Sequence, residues 1–388
     1  MSSYKVLIAP DSFKESLDAI KVAKSIVKGW KNVFHKSKII ICPLSDGGEG
    51  FLEALSLNLS LNYRYTIVTD LTGKKRKIKY GWIPKQKTAV IETASIVGLH
   101  LVPQKDREPE HFTSYGVGEA ILHAIQRGAK KVVLGLGGSG INDGGAGIAQ
   151  ALGYLLIDSS QKPIGKGPLE LQNISYIRKS KYYDKIKGTS IIIASDVTNP
   201  YYGPQGATFV YGPQKGVTPE LCPVIDNALK KFAQTIKKEL NIDIQKQPGS
   251  GAAGGMGGAL FAFANGKFVP GFQWIAQVSH LEEKLASADF VITGEGQLDN
   301  QSFSGKVVGE MIQLAYAKDK TIIVLVGKLG KGWEVCSSLE KVSVFPISAG
   351  EFSKEELMKN TAVNLTRTTE QIAKLLYYNL QQGKGNKY

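Results

Sequence analysis

The segment GLGGSGINDGG at residues 135–145 constrains this chain more than any other stretch of it. It follows the apolar run KVVL and leads into the helical pattern AGIAQALG. A strand that ends in glycines and passes into a helix exposes successive backbone amides beside the positive end of a helix dipole. That arrangement predicts an anion site. Glycine loops recur at residues 248–259 (PGSGAAGGMGGA) and 293–299 (TGEGQLD). The 43 glycines among 388 residues exceed the usual share of roughly 7% and cluster with Ser, Asn and Asp rather than repeating. This excludes collagen-like and linker readings and predicts loops of unusual backbone geometry.

A chain this long exceeds one ordinary core and predicts two domains, or one interrupted by another. KVLIAP at 5–10 and KIIICPL at 38–44 are short apolar runs, each followed by a polar loop and a helical pattern. Leu17, Ile20, Ala23 and Val27 fall at helical spacing, with Ser12 or Ser16 able to cap the start and Ser12 paired with Glu15 as a capping box. Two successive strand–helix units predict a parallel sheet with functional loops at the carboxyl ends of its strands. From Tyr63 the texture changes to alternating strands around a Thr72-Gly73 turn, and near Ala286 the strand–helix texture returns. The fold class expected is α/β: a parallel, Rossmann-like sheet domain built from both chain ends (residues 1–64 plus 286–388) with an inserted mixed α/β domain (65–285).

Net charge is +14, carried mostly by scattered lysines. The local basic runs at 74–79 and 383–388 are not interleaved with aromatics in sequence, which argues against a nucleic-acid partner. Cys42, Cys222 and Cys336 are odd in number and far apart, as expected of reduced thiols in a cytoplasmic protein. The chain enters a strand-like segment at once, so no signal peptide is expected, and no apolar stretch is long enough to span a membrane. The five histidines form no pair at helical ligand spacing, which disfavours zinc catalysis.

Gly135, Gly137 and Gly140 match the GxGxxG spacing, and Asp158 closes the next strand near the place of a ribose-binding acid. An NAD(P)-dependent oxidoreductase is therefore one reading, and a non-catalytic nucleotide-binding module another. Asn142 and Asp143 point elsewhere. A carboxylate where a helix start meets phosphate repels it unless a cation such as magnesium intervenes, which is phosphoryl-transfer chemistry. No Walker A sequence is present. PDSFKES at 10–16 and SDGGEG at 45–50 end the first two strands and offer Asp11, Lys14, Ser45, Asp46 and Glu49 for metal, phosphate or carboxylate. Asp196 in SDVTNP ends another apolar strand, a position suited to a base, and Lys215 in GPQKG offers a positive charge.

Taken in order, IAPDSFKESL, PLSDGGEGF, TSYGVGEAI, GLGGSGINDGGAGIAQALG, SDVTNP, GATFVYGPQKG, SGAAGGMGGAL and ADFVITGEGQLD followed by GK resemble the type-1 glycerate kinase family along nearly the whole chain. The resemblance implies ATP-dependent phosphorylation of D-glycerate with Mg2+ on a two-domain α/β fold whose middle domain is inserted. Gln297-Leu298 stands where many members carry Arg-Ile, and Ile141 where they carry Thr. From the chemistry at the matching motifs we expect Asp196 as base with Asp46 next, and Lys14 and Lys215 neutralising charge. Asp143 and Glu295 are expected as metal ligands. Gly137, Gly138, Ser139, Asn142, Gly254 and Gly255 are expected around the nucleotide phosphates, in a cleft between the domains. The expected product is 2-phosphoglycerate, with 3-phosphoglycerate the alternative, the partners are small molecules only, and a homodimer is admitted.

Overall fold

The computed structural model describes residues 3–45, 47–179, 186–303, 306–348, 350 and 353–385. It divides into two compact units: Met1–Asp46, Glu53–Leu59 and Phe272–Tyr388 form one, Gly47–Leu52 and Ser60–Gly271 the other. The changes of unit at 59/60 and 271/272 compare with sequence boundaries at 64/65 and 285/286. Residues 272–286 are helical, in Gly271–Val278 and Leu281–Ala286, and bury Phe272, Ile275, Leu281 and Leu285. Lys284 there donates to Asn58 Oδ1 at 2.6 Å, tying this stretch to the first unit.

Strands are numbered in chain order. The first unit holds β1 (Lys5–Ile8), β2 (Lys38–Ile41), β11 (Phe290–Leu298), β12 (Ile322–Leu329) and β13 (Val342–Pro346). They form one sheet in the order β13-β12-β11-β1-β2, with every pairing parallel. The strand order reverses between β1 and β11. In an open parallel sheet the loops leaving the carboxyl ends diverge at that point and leave a crevice for ligands. The helix Ala19–Lys31 turns Val22, Ala23, Ile26 and Trp30 inward. It crosses the long C-terminal helix Lys354–Gly385 at Gly29, where a Cβ would collide with the Thr366 carbonyl oxygen. Val6, Ile8, Ile292, Leu325, Leu365 and Ala373 complete the core.

The expected cap at Ser12 or Ser16 does not form. The helix starts at Ala19 under Asp18, whose carboxylate accepts from the Lys21 amide at 2.8 Å. Residues 10–16 are instead an irregular loop, closed by a bridge between Phe13 and Leu17, with Glu15 at φ 66°. The physical reason is that Phe13 is buried in the core, which pins the loop down before a helical turn can begin. The delay matters, because it leaves seven residues of loop over the crevice.

The second unit holds β3 (Asn62–Thr69), β4 (Lys75–Ile83), β5 (Thr88–Glu92), β6 (Lys131–Gly135), β9 (Ser190–Ala194) and β10 (Lys267–Val269), ordered β10-β9-β6-β5-β4-β3. Pairings from β10 to β5 are parallel; β5-β4 and β4-β3 are antiparallel. An antiparallel ribbon of β7 (Tyr154–Ile157) and β8 (Tyr176–Lys179) stands apart from this sheet. The core gathers Val132, Leu134, Ile191 and Ile193 from the sheet with Ile121, Leu229, Phe232 and Phe263 from the helices. Among the described residues no helix is long and apolar enough to cross a membrane.

Candidate active site

In the first unit a cavity of about 870 Å³ opens where the strand order reverses. Its lining includes Asp11 to Ser16 from the loop after β1 and Glu295, Gln297 and Asp299 from β11 and its end. Lys306, Lys328 and the first turns of the C-terminal helix at Leu357, Met358 and Thr361 also line it. Strands β11 and β12 approach closely here, since a Cβ on Gly327 would sit 2.5 Å from the Gly296 carbonyl oxygen. The charged groups therefore ring a concave surface made by backbone. Oxygen donors (Asp11, Glu295, Asp299) and ammonium donors (Lys14, Lys306, Lys328) share one cavity, the mixture a metal–phosphate complex requires.

Glu295 is the most telling member. It is nine-tenths buried, and its Oε1 accepts no hydrogen bond among the described residues. Burial pushes its carboxyl up to about 7 against the Ser302 hydroxyl and the charges of Lys306 and Lys14, which favour the ionised form. A buried acceptor left unsatisfied costs about 1–3 kcal/mol, so its persistence in a cavity points to a cationic ligand. Gln297 donates to Asp299 Oδ2 at 2.7 Å, a neutral hydrogen bond where an arginine would form an ion pair. Asp11 anchors its own loop: Oδ1 accepts from the Ser12 amide at 2.6 Å.

The second unit treats its acids differently. Asp143 is wholly buried and accepts four hydrogen bonds: Ser114 N at 2.7 Å, Ser114 Oγ at 2.8 Å, Gly145 N at 2.9 Å and Gly147 N at 3.2 Å. Both oxygens fix the glycine loop and the helix Ala146–Ala151 to residue 114, which gives the residue expected as a metal ligand a structural role in this fold. Burial raises its pKa while those four donors oppose the shift. Lys215 is equally enclosed. Its Nζ donates to the Ile141 carbonyl at 2.8 Å and to Ser139 Oγ at 3.2 Å, and burial lowers its pKa to about 7. It braces the loop from within, whereas the sequence expectation gave it the neutralising of charge.

The glycines follow the same logic. Gly137 N donates to Gly47 O at 3.2 Å and Gly140 N to Val97 O at 2.7 Å, so neither amide is available to an anion. Gly254 (φ 68°) and Gly255 (φ 92°) pack the later glycine loop against the earlier one. A Cβ on Gly254 would strike the Ile141 carbonyl, and one on Gly255 would lie 2.6 Å from the Gly144 Cα. Gly138 (φ 70°) and Ser139 stand at the turn of the loop, Ser139 buried and bonded to Lys215. Asn142 is buried, donates to Thr208 Oγ1 at 3.0 Å and leaves its Oδ1 without a partner among the described residues. The dinucleotide reading fails on the same ground. Asp158 Oδ1 accepts from the amides of Ser160 (2.8 Å) and Lys162 (2.9 Å), closing its own turn instead of facing a ribose.

Asp196 sits just after β9, and its Oδ1 accepts from the Gly271 amide at 2.7 Å, at the first turn of the helix Gly271–Val278. Asp46 lies outside the described residues. Lys14 is exposed on the cavity loop. Sequence reasoning passed over Lys306 and the C-terminal helix. Lys306 was legible in the GK that follows GEGQLD, whereas residues 357–361 reach the cavity only through the fold. Among the described residues no cluster of three His, Cys, Asp or Glu side chains could hold a metal. Magnesium suits such a site, because it takes one or two carboxylates and completes its shell with water and substrate phosphates.

Comparison with known proteins fixes the family. The model of the glycerate kinase family matches residues 6–377. Glycerate 2-kinase of Escherichia coli (strain K12) is 39% identical over 372 residues, covering 96% of this chain and 98% of that protein. Glycerate kinase of Haemophilus influenzae is 40% identical over 374 residues, covering 96% and 99%. The solved glycerate kinase 2 structure from Salmonella typhimurium LT2 superposes with a TM-score of 0.82 at 37% identity, covering 98% of this chain and 100% of its own. An oxidoreductase finds no support in any of these. By sequence along nearly its full length and by fold, the chain belongs to the glycerate kinase family, enzymes that phosphorylate glycerate.

Proposed function

We propose that the reaction is transfer of the γ-phosphoryl group of ATP to O2 of D-glycerate, with Mg2+, giving 2-phosphoglycerate and ADP. The observation that carries this reading is the buried Glu295 carboxylate, its Oε1 without a hydrogen-bond partner among the described residues, in a cavity shared with Lys14 and Lys306. The O2 assignment draws on the E. coli relative, whose name is that of a 2-kinase.

Glu295 would hold Mg2+ as a single carboxylate ligand, the shell completed by water and phosphate oxygens, and the ion's charge would offset that of the nucleotide phosphates. Lys14 and Lys306 act on the phosphate oxygens as mobile point charges. Asp196 is the proposed base, with Asp46 its alternative. As the glycerate oxygen forms its bond to phosphorus, its proton passes to the carboxylate and the bond to the ADP oxygen breaks. The Gly271 amide on Oδ1 fixes the Asp196 carboxylate for that transfer. Three buried, unpaired cysteines suit a reducing, cytoplasmic setting.

The test is a coupled ADP-release assay with D-glycerate, with and without Mg2+, followed by phosphorus NMR of the product. Glycerate- and Mg2+-dependent ADP with 2-phosphoglycerate is expected. No glycerate-dependent ADP would sink the reading, and 3-phosphoglycerate would overturn the choice of O2. Asp196→Asn is expected to abolish turnover nearly completely while leaving ATP binding intact.

A further inference from the structure

Three lysines line the crevice of the first unit. Lys14 and Lys306 act on Glu295, their charges favouring its ionised form. The third, Lys328, is exposed, and its ammonium has no hydrogen bond or ion pair among the described residues. On an open surface such a group is a solvated charge and nothing more. Lys328 stands instead in a concave site that gathers carboxylates, so its place in the sheet decides what it can serve.

The backbone fixes that place. Strands β11 and β12 are parallel, with Glu295 in register with Val326 and Gln297 with Lys328. Registered residues on neighbouring strands share a face of the sheet, and so do residues two apart on one strand. Glu295, Gln297 and Lys328 therefore stand on one face at the carboxyl ends of the two strands. Two residues along a strand at about 3.3 Å each, and one strand spacing of about 4.8 Å, put the Lys328 Cα about 8 Å from that of Glu295. The flexible four-carbon stem of lysine is long enough to bring its ammonium beside an oxygen bound next to the Glu295 carboxylate. Gln297 lies on the same strand as Glu295 but brings no charge, and its amide is given to Asp299 Oδ2 at 2.7 Å. Of these two registered positions, the positive charge is on β12.

We infer that Lys328 is a nucleotide-binding residue, its ammonium holding phosphate oxygens of the nucleotide beside the Glu295 carboxylate. The inference rests on the reading of this cavity as the site of a nucleotide–magnesium complex. In such a complex the ion bridges β- and γ-phosphate oxygens, so those oxygens come next to the carboxylate that holds it. An ammonium suits them, because its three donors turn to whichever oxygens lie near. Lys14 reaches the same complex from the loop after β1, and Lys306 from the cap of the helix Val307–Ala317. Lys328 adds the charge on the β12 side, where no other cation lines the cavity.

Calorimetric binding of ATP with Mg2+ to the full chain, run beside the glycerate-dependent ADP assay, tests this. Lys328→Met keeps the stem and removes the charge. It is expected to weaken ATP binding about tenfold, the size of one charge-assisted hydrogen bond. The KM for ATP should rise in step while the KM for glycerate stays put, and thermal unfolding should not change, as for any exposed side chain. Lys331→Met, which removes an exposed lysine outside the cavity, is expected to bind ATP as wild type does. Gln297→Arg added to Lys328→Met is expected to recover most of the lost affinity, because a guanidinium has donors enough for Asp299 and a phosphate together. Unaltered ATP binding in Lys328→Met would overturn the inference. So would an equal loss in Lys331→Met, which would leave only the general positive field, or a rise confined to the KM for glycerate. A double variant that binds no better than Lys328→Met would refute the shared face. A wild-type chain that binds ATP but shows no glycerate-dependent ADP contradicts the reaction and not Lys328, whose role is then read from binding alone; one that binds no ATP contradicts both.

Discussion

The crevice of the first unit and the glycine loops of the second answer the same sequence signal, glycine beside acid, in opposite ways. Around residues 135–145 and 248–259 the charged groups are spent on their surroundings: Asp143 takes four donors, Lys215 holds a carbonyl and a hydroxyl, and Tyr201 Oη donates to Gly144 O at 2.6 Å. The neutral Asn142 Oδ1 and Ser250 Oγ have no partner among the described residues. Around residues 294–299 the strands close up on glycine, but Glu295 keeps an oxygen unused. Glycine richness reports close approach of backbone. A charged oxygen left without a donor, as on Glu295, is what marks a candidate ligand site here.

Glycine substitution breaks this comparison most sharply. Gly254→Ala places a Cβ on the Ile141 carbonyl at a left-handed φ of 68°, and is expected to cost about 3 kcal/mol or more in chemical denaturation. Gly296→Ala meets its nearest atom at 3.6 Å and is expected to stay within about 1 kcal/mol of wild type. Equal losses at the two positions would erase the contrast.

Asp143→Asn comes next. It turns an acceptor of four hydrogen bonds into a group with two donors of its own facing Ser114 and the loop amides. The expected loss is about 2–3 kcal/mol of stability. Unchanged stability would return Asp143 to the pool of ligand candidates.

Lys215 gives a pH signature. Its pKa in the fold, about 7, lies below its ordinary value of 10.5. Between those values the unfolded chain binds the extra proton, so this residue makes stability rise with pH from about 7 towards 10.5. Lys215→Met is expected to flatten that part of the profile, and an unaltered slope would show that the amine is not held as described. The smallest effect belongs to Asp158→Asn. An amide oxygen still accepts from Ser160 and Lys162, so stability should stay within about 0.5 kcal/mol and turnover should not change. A turnover defect would reopen a ligand role for this turn.

Much of the architecture was legible. The apolar runs at the starts of β1, β2, β11 and β12 announced the parallel sheet, whereas TGEGQL, read as a glycine loop, continues β11 to Leu298. The start of the first helix was misread because Ser12 and Glu15 satisfy a capping pattern that the burial of Phe13 overrides. The fate of Asp143 was illegible for a different reason. Its partner Ser114 is 29 positions away, and nothing local announces that a carboxylate will be saturated. Thr361, which lines the same cavity as Asp11, shows the limit most plainly, being 350 residues further along the chain.

The central claim is that the ligand-ready carboxylate is Glu295. Its direct test is turnover and stability of Glu295→Gln at pH 8, measured on the same preparation. The carboxyl pKa of about 7 lies above the ordinary 4.5, so its ionisation costs the fold stability as pH rises through that window. The glutamine variant should therefore be at least as stable as wild type at pH 8, while its glycerate-dependent turnover falls about 100-fold or more. Retained turnover, or a loss of turnover matched by loss of the fold, would contradict the account.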